Sequence, residues 1–183
     1  MELRKSILDR TMKDEAIING FKEFQKTNIR ISANNIIGFP GETREDIMKT
    51  IDLNRQIDPD SVVVNAFRPY SGTKLRKICI EKGLIPKEER AEDNRVYGAF
   101  DNGVLTGEEL ENIRKVFALY VTLPKKYWKD IRMAETDEKK FNQLMKKYKS
   151  QQVLHRKNRV KSQDNNYILA DDIFINDEVA KVI

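Results

Sequence analysis

The sequence feature that most constrains the fold is a strand-like run that ends in an unusual turn and is followed by a second such run. Ile29–Ile37 mixes β-branched and polar residues and closes on two isoleucines, which is typical of a strand buried mainly at its far end. It stops at GFPGET, residues 38–43, where two glycines and a proline precede a carboxylate. VVVNAF, residues 62–67, predicts a second buried strand, which breaks at RPYSGT, residues 68–73.

The segment between the two runs predicts a helix. Thr43 and Asp46 resemble a capping box with Asp in place of the usual Glu, and Ile47 and Ile51 lie on the inward face. IDPDS, residues 57–61, ends the helix. Because this connection is too long for a hairpin, the two strands should be parallel and joined by a right-handed crossover. Ligands of parallel α/β folds bind at the carboxyl ends of strands, so we expect both turns to face one shared site.

The rest of the chain predicts helices and loops. Apolar spacing or a capping box predicts helices at residues 2–10, at 14–27, from Thr106 with its partner Glu109, after Pro124, and from Asp137. A loop rich in turn residues spans 83–105. The basic segment Lys146–Lys161 holds the only histidine, His155, and predicts a solvated or mobile tail.

Composition excludes several classes of protein. Hydrophobic residues make up 39% and charged residues 34% of 183, which indicates a folded chain with many charged helix faces and not a disordered one. The net charge of +5 is mild, so a solvated surface is the first interpretation and contact with a polyanion the second. The sequence has neither an apolar run long enough to span a membrane nor a signal peptide, and we expect the cytoplasm. Cys79 alone cannot hold a cysteine-based metal cluster.

The turn GFPGET allows two interpretations. A glycine turn at a strand end lets backbone amides approach a ligand, and the following helix adds the positive end of its dipole. Pro40 would then stiffen the turn, Phe39 would present a rigid surface, and Glu42 would accept a hydrogen bond from the ligand. In the alternative, the turn only starts the helix, and the dipole favours Glu42 there. The turn is neither a P-loop nor a GxGxxG motif.

Residues 31–77, ISANNIIGFPGETREDIMKTIDLNRQIDPDSVVVNAFRPYSGTKLRK, resemble the second half of a radical S-adenosylmethionine core domain, in the branch shared by elongator-type, methylthiotransferase and cobalamin-associated members. The resemblance extends from about Glu2 to Glu135, with its most specific part in GFPGET, PDS and GT. It implies an α/β fold: the C-terminal portion of an incomplete (β/α)6 TIM-like barrel, followed by a mainly α-helical extension. The expected domains are residues 1–78 of the barrel, a helical extension at 79–150, and a basic tail at 151–183.

The resemblance also implies which residues contact the cofactor. Those that match the family's adenosine-binding positions are Ile36, as an apolar neighbour, and Gly38, Pro40, Gly41 and Glu42 of the first turn. The second turn, with Phe67, Pro69 and Tyr70, would close over the adenine through backbone groups. Arg10 matches a linker arginine that in relatives can face the cofactor carboxylate, a role that suits a bidentate guanidinium. Phe67 as a core residue and Arg10 as a helix cap are the alternatives.

The chain departs from the family in one respect that affects its chemistry. The family's CxxxCxxC loop, which holds a 4Fe-4S cluster, and the first four strands are absent from this sequence. The resemblance therefore implies the C-terminal part of an enzyme that uses S-adenosylmethionine and the cluster for 5′-deoxyadenosyl-radical chemistry, inactive alone, with no catalytic or metal-binding residue of its own. Cobalamin is a further cofactor of some members. The implied partner is the missing N-terminal half of the barrel, or a complementary chain.

Two other functions compete with the enzyme fragment. The chain could be a non-catalytic module whose exposed barrel edge pairs with another chain. It could also contact RNA through the basic segment after Lys146, as in relatives that modify transfer RNA. We rank the enzyme fragment first, the partner-binding module second and RNA contact third.

Overall fold

Helices cover one face of a two-stranded parallel sheet in the part of the chain that the computed structural model describes, which is residues 5, 7–27, 29–87 and 99–161. The elements in chain order are α1 (Asp14–Gln25), β1 (Ser32–Ile37), α2 (Arg44–Ile57), β2 (Ser61–Ala66), α3 (Lys74–Glu81), α4 (Gly107–Thr122), a 3-10 turn (Lys125–Tyr127), α5 (Trp128–Ala134) and α6 (Glu138–Lys161). Strand, helix and strand therefore follow each other as predicted, and the prediction that β1 and β2 are parallel is confirmed.

The two strands alternate between a covered and an open face. In β1, Ala33 and Ile37 are buried, while Ile36 is 51% exposed. In β2, Val62 and Val64 pack against the main core, and Val63 is 43% exposed. The sequence predicted a strand buried mainly at its far end, at both Ile36 and Ile37. The structure instead follows the two-residue period of a sheet with helices on one face only, because successive side chains point to opposite faces.

The predicted capping boxes are both present. The Thr43 hydroxyl accepts from the amide of Asp46, whose carboxylate accepts from the amide of Thr43. Thr106 and Glu109 make the same reciprocal pair at the start of α4. Each box satisfies amides that a helix N-terminus leaves without an intrahelical partner, which fixes where α2 and α4 begin.

The main core lies between the sheet and the helical extension. It joins the covered face of β1 to α2 and to the inward faces of α4, α5 and α6. Its fully buried members, each 0–1% exposed, are Ile37, Ile47, Ile51, Leu110, Ile113, Val116, Phe117, Leu119, Leu123, Ile131 and Ala134. The inward positions predicted for α2, Ile47 and Ile51, are therefore confirmed, and the extension is part of the same core as the βαβ unit.

Some predicted elements differ from the structure. Of the helix predicted at 2–10, residues 2–4 and 6 lie outside the described part, residue 5 is helical, and residues 7–10 form a turn and irregular chain. The basic segment from Lys146 continues α6 as far as Lys161, and the predicted domain boundaries stay predictions. Residues 162–183 of the predicted tail lie outside the description.

The fold class is a mixed α/β structure with a two-stranded parallel sheet over the described ranges. The barrel that the resemblance implies stays a prediction. None of the helices described here is both long enough and apolar enough to cross a bilayer.

Candidate functional site

The turn between β1 and α2 has a backbone that needs glycine. Gly38 has φ +88° and Gly41 has φ +83°, conformations that other residues adopt only with strain. A Cβ on Gly38 would also lie 3.2 Å from a methyl group of Leu110 on α4. The first glycine therefore serves both the turn and the close approach of α4.

Glu42 closes this turn on itself. Its carboxylate oxygen Oε2 accepts from the amides of Gly38, at 2.5 Å, and Phe39, at 3.2 Å, and only 4% of the residue is exposed. Burial raises the pKa of Glu42 to about 7; the two amides oppose this shift, and the nearby Asp46 adds to it. Glu42 thus has a structural role in the turn beyond the favourable helix dipole.

The amides of the turn donate to groups of the protein itself. Besides the two bonds to Glu42, the amide of Gly41 donates to the carbonyl oxygen of Asn102 at 2.8 Å, and that of Glu42 to Phe39 at 2.9 Å. Pro40 has no amide hydrogen. The expectation that glycine leaves these amides free for a ligand therefore fails for all four, and a ligand at this edge would meet carbonyl oxygens and side chains instead.

The second turn lies directly beside the first. The amide of Phe67 donates to the carbonyl oxygen of Ile37 at 2.7 Å, which extends the pairing of the two strands by one bond. The rings of Phe39 and Phe67 lie 4.9 Å apart, and both are buried. Phe67 is thus a core residue through its ring, as one alternative stated, while its backbone lies at the shared edge. The two turns are brought together as predicted.

The remaining residues of the second turn face outward or hold α3. The carbonyl oxygen of Pro69 accepts from Nη1 of Arg76 at 3.1 Å, and the Thr73 hydroxyl caps α3 by accepting from the amide of Arg76. Tyr70 is 57% exposed. Ile36 and Tyr70 therefore provide the exposed apolar surface near the two strand ends.

Arg10 lies in irregular, exposed chain before α1. Earlier in this segment, Ile7 and Leu8 pack against the small cluster formed by Phe39, Phe67 and Cys79. The segment that carries Arg10 therefore passes next to the cluster beneath both turns.

Sequence reasoning missed Asn102, which is 1% exposed and contacts the first turn. Its side-chain amide donates to the carbonyl oxygens of Phe39 and Glu42. The only local signal was an Asn-Gly pair in a loop, which indicates a turn and does not reveal a partner 60 residues away.

The described residues do not include a group of His, Cys, Asp and Glu side chains that could hold a metal ion. Cys79 is fully buried, and burial raises the pKa of its thiol. This thiol is a small apolar core group and not a reactive one.

Comparison with known proteins gives partial matches. No family model matches the chain. An uncharacterized methyltransferase of Pyrococcus horikoshii is 28% identical over 115 residues, which cover 62% of this chain and 25% of that protein. A tRNA-2-methylthio-N(6)-dimethylallyladenosine synthase of Treponema pallidum is 44% identical over 46 residues, which cover 25% of this chain and 10% of that protein.

A third relative is a probable threonylcarbamoyladenosine tRNA methylthiotransferase of Pyrococcus horikoshii, 35% identical over 75 residues. That match covers 40% of this chain and 17% of the relative, so the chain spans a quarter or less of the length of each of these three proteins. The partial similarities suggest a relationship to the radical S-adenosylmethionine superfamily, in agreement with the resemblance of residues 31–77.

Proposed function

We propose that this chain supplies the adenosine-binding side of an S-adenosylmethionine site in a radical enzyme. The observation that carries the proposal is the meeting of two strand-end turns at one edge of a parallel pair, joined by the Phe67-to-Ile37 hydrogen bond and the Phe39–Phe67 ring contact. Parallel α/β folds bind ligands at this edge. Gly38, Pro40, Gly41 and Glu42 would form one wall, and Phe67, Pro69 and Tyr70 the other.

The exposed groups at this edge fit a nucleoside. Adenine is a flat ring with polar edges, and it needs an apolar surface and hydrogen-bond partners in its plane. Ile36, half exposed on the open face next to the turn, offers the apolar surface. Backbone carbonyl oxygens of the two turns, each of which can accept a second hydrogen bond, would be the acceptors for the amino group of adenine, and Arg10 is the candidate partner of the cofactor carboxylate.

The residues of this chain do not fit an iron-sulfur cluster. Cys79, the single cysteine in the sequence, is buried beneath the turns, and a 4Fe-4S cluster of this family takes three cysteines. The cluster ligands would come from polypeptide outside this sequence. When bound to such a cluster, S-adenosylmethionine supplies radical hydrogen-abstraction chemistry, while the residues described here would orient the nucleoside and exclude water from one side.

The open face of the sheet is where the complementary polypeptide would lie. Ile36 and Val63 expose apolar side chains there, and parallel sheets are typically covered on both faces. We propose that the missing half of the barrel, or a complementary chain, covers this face. It would also complete the cofactor site.

Binding of parts of the cofactor tests the proposal. We expect 5′-deoxyadenosine to bind the chain and free methionine to bind much more weakly, because the cluster that would hold the methionine end lies outside this sequence and Arg10 would pair with its carboxylate without that support. Isothermal titration of each compound provides the measurement. Ile36→Asp should abolish binding, whereas the matched control Met133→Asp, at a similarly exposed position on α5, should not. Binding of methionine alone, or equal effects of the two variants, would refute the proposal.

A second candidate function is contact with RNA. Two of the relatives are named as enzymes of tRNA modification. In this chain, Lys126 and Lys147 both lie over the ring of Tyr127, at 5.3 and 5.5 Å, and Lys125 lies over Trp128 at 4.6 Å. Clustered lysines on helical surface with aromatic rings are typical of nucleic-acid contacts.

Salt dependence tests this second function. The double variant Lys126→Gln/Lys147→Gln should weaken binding of a short RNA stem-loop. It should also reduce the slope of the logarithm of the association constant against the logarithm of the salt concentration by about 1–2. Lys49→Gln, on an exposed part of α2, is the control and should leave the slope unchanged. Binding that does not depend on salt would dismiss RNA contact.

A further inference from the structure

Asn102 uses all of its polar groups to hold the first turn and its own loop. Its Nδ2 donates to the carbonyl oxygens of Phe39, at 3.1 Å, and Glu42, at 3.0 Å. Its backbone carbonyl accepts from the amide of Gly41 at 2.8 Å. One residue therefore makes three hydrogen bonds to a turn that lies 60 residues earlier in the chain.

The loop that carries Asn102 is fixed at the start of α4. Oδ1 of Asn102 accepts from the amides of Val104, at 2.9 Å, and Leu105, at 2.8 Å. The Asp101 carboxylate accepts from the amide of Gly107 at 2.6 Å, and a Cβ on Gly107 would collide with the carbonyl oxygen of Ala99. The position of Asn102 is thus set by α4, the first helix of the extension.

The same helix contacts the turn a second time. Leu110 on α4 is the residue that a Cβ on Gly38 would meet. Glu42 holds the turn from within, through the amides of Gly38 and Phe39, while Asn102 and Leu110 hold it from the extension. The backbone of the turn is therefore defined by contacts from α4 as well as by its own sequence.

We propose that Asn102 is a positioning residue that keeps the turn of residues 38–42 in its ligand-receiving conformation, so that the helical extension sets the affinity of this site. The ligand named here, the adenosine part of S-adenosylmethionine, rests on the proposed function. Preorganisation of a turn reduces the ordering cost of binding, and loss of Asn102 would restore that cost.

The chemistry of the contact requires an amide. A carboxylate at position 102 keeps the oxygen that accepts from Val104 and Leu105, but it places a second oxygen against the carbonyl oxygens of Phe39 and Glu42. Asn102→Asp has nearly the same shape as the native side chain; it removes the two donated bonds and adds repulsion between the new oxygen and the two carbonyl oxygens. Asn54→Asp is a matched control: Asn54 is 2% exposed, and its Nδ2 also donates two bonds, to Oδ1 of Asn35 on β1 and to the carbonyl oxygen of Thr50 on α2.

Hydrogen exchange of the full chain tests the positioning role without any ligand. In Asn102→Asp, the amides of Gly38, Phe39, Gly41 and Glu42 should exchange at least about tenfold faster than in Asn54→Asp, because the turn opens locally when two hydrogen bonds are lost. The exchange rates of amides in the middle of α4 should change equally in both variants. If Asn102→Asp does not fold, Asn102→Ala is compared with Asn54→Ala. Equal exchange of the turn amides in the matched pair would overturn the proposal.

Ligand binding gives a second readout. The dissociation constant for 5′-deoxyadenosine should increase about tenfold in Asn102→Asp and less than about twofold in Asn54→Asp. Equal weakening in both variants would overturn the positioning role. If the unaltered chain does not bind 5′-deoxyadenosine, the proposed function fails, while the exchange data still decide whether Asn102 holds the turn.

Discussion

Arg44, the first residue of α2, forms an ion pair with Glu135, which lies just after α5 and is 6% exposed. The Tyr120 hydroxyl donates to the same carboxylate at 3.1 Å, and Arg132 pairs with its other oxygen at 3.1 Å. Burial is the main cause that raises the pKa of Tyr120 well above its usual range, and the neighbouring Glu135 carboxylate adds to the shift. This cluster connects the helix that follows the candidate site to the helical extension.

Loss of Arg44 should destabilise the whole chain. Arg44→Met leaves a buried carboxylate with a more exposed partner, Arg132, and we expect a loss of about 2–3 kcal/mol in the free energy of unfolding. Urea denaturation measures it. Adding Glu135→Gln to Arg44→Met should cost less than the sum of the single changes, because the unpaired charge is removed. A loss below about 0.5 kcal/mol in Arg44→Met would mean that the pair contributes little.

Arg55 caps the carboxyl end of α4 from a different helix. Its Nη1 lies 2.6, 2.7 and 2.8 Å from the carbonyl oxygens of Tyr120, Val121 and Leu123. A cation there interacts favourably with the helix dipole as well as with the carbonyls.

Arg55→Met should therefore lower stability by about 2 kcal/mol, and Arg55→Lys by less, because lysine keeps the charge. Thermal unfolding compares both with Lys49→Met, the control. Lys49 is 61% exposed in its side chain and pairs only on the surface of the same helix, so its loss should cost little. Equal losses for Arg55→Met and Lys49→Met would contradict the cap.

Glu42 should make stability depend on pH. Its pKa in the folded chain, about 7, lies above the ordinary value of 4.5, so the protonated form is favoured by folding. The stability that this carboxyl contributes is fully present below pH 4.5 and is lost as the pH rises through 7. Since one pKa unit corresponds to about 1.4 kcal/mol, the whole effect is at most about 3.5 kcal/mol.

Glu42→Gln removes this titration and keeps an oxygen that can accept from Gly38 and Phe39. Urea denaturation of both chains at several pH values between 4.5 and 8 is the measurement. We expect the unaltered chain to lose stability relative to Glu42→Gln as the pH rises. Parallel stability curves would show that Glu42 titrates normally in the folded protein.

The two glycines of the first turn should differ in their tolerance of a side chain. Both have positive φ, but a Cβ on Gly41 meets only the end of the Lys82 side chain, at 3.7 Å, whereas one on Gly38 meets Leu110 at 3.2 Å. Gly41→Ala should lower the free energy of unfolding by about 1 kcal/mol through backbone strain alone. Gly38→Ala should cost about 1–2 kcal/mol more, because it also disturbs the packing of α4. Equal costs in chemical denaturation would show that the contact with α4 is adaptable.

The elements that sequence reasoning located have local signals. Thr43 with Asp46, and Thr106 with Glu109, identify helix starts within four residues, and the separation of the two apolar runs predicts a parallel pair. Local capping and hydrophobic period are the most direct signals that a single sequence contains.

The contacts that the sequence did not predict connect residues far apart in the chain. The contacts of Asn102 with the first turn and of Arg55 with the end of α4 both depend on how α4 packs. No local sequence pattern indicates that packing. The basic tail is another case: α6 continues through Lys161, and Nε2 of His155 lies 3.1 Å from the carboxylate of Asp58, which follows α2. High charge density predicted a solvated or mobile segment; most of residues 146–155 are exposed, as in a solvated segment, and they lie on a continuous helix.

An NMR titration of the isotope-labelled chain with 5′-deoxyadenosine decides whether the two strand-end turns form one nucleoside site. We predict saturable shifts of the amides of Gly38, Phe39, Gly41 and Glu42 and of Phe67, Arg68 and Tyr70, together with the methyl groups of Ile36, and little change in α6. Shifts confined to other regions, or none at millimolar ligand concentration, would contradict it.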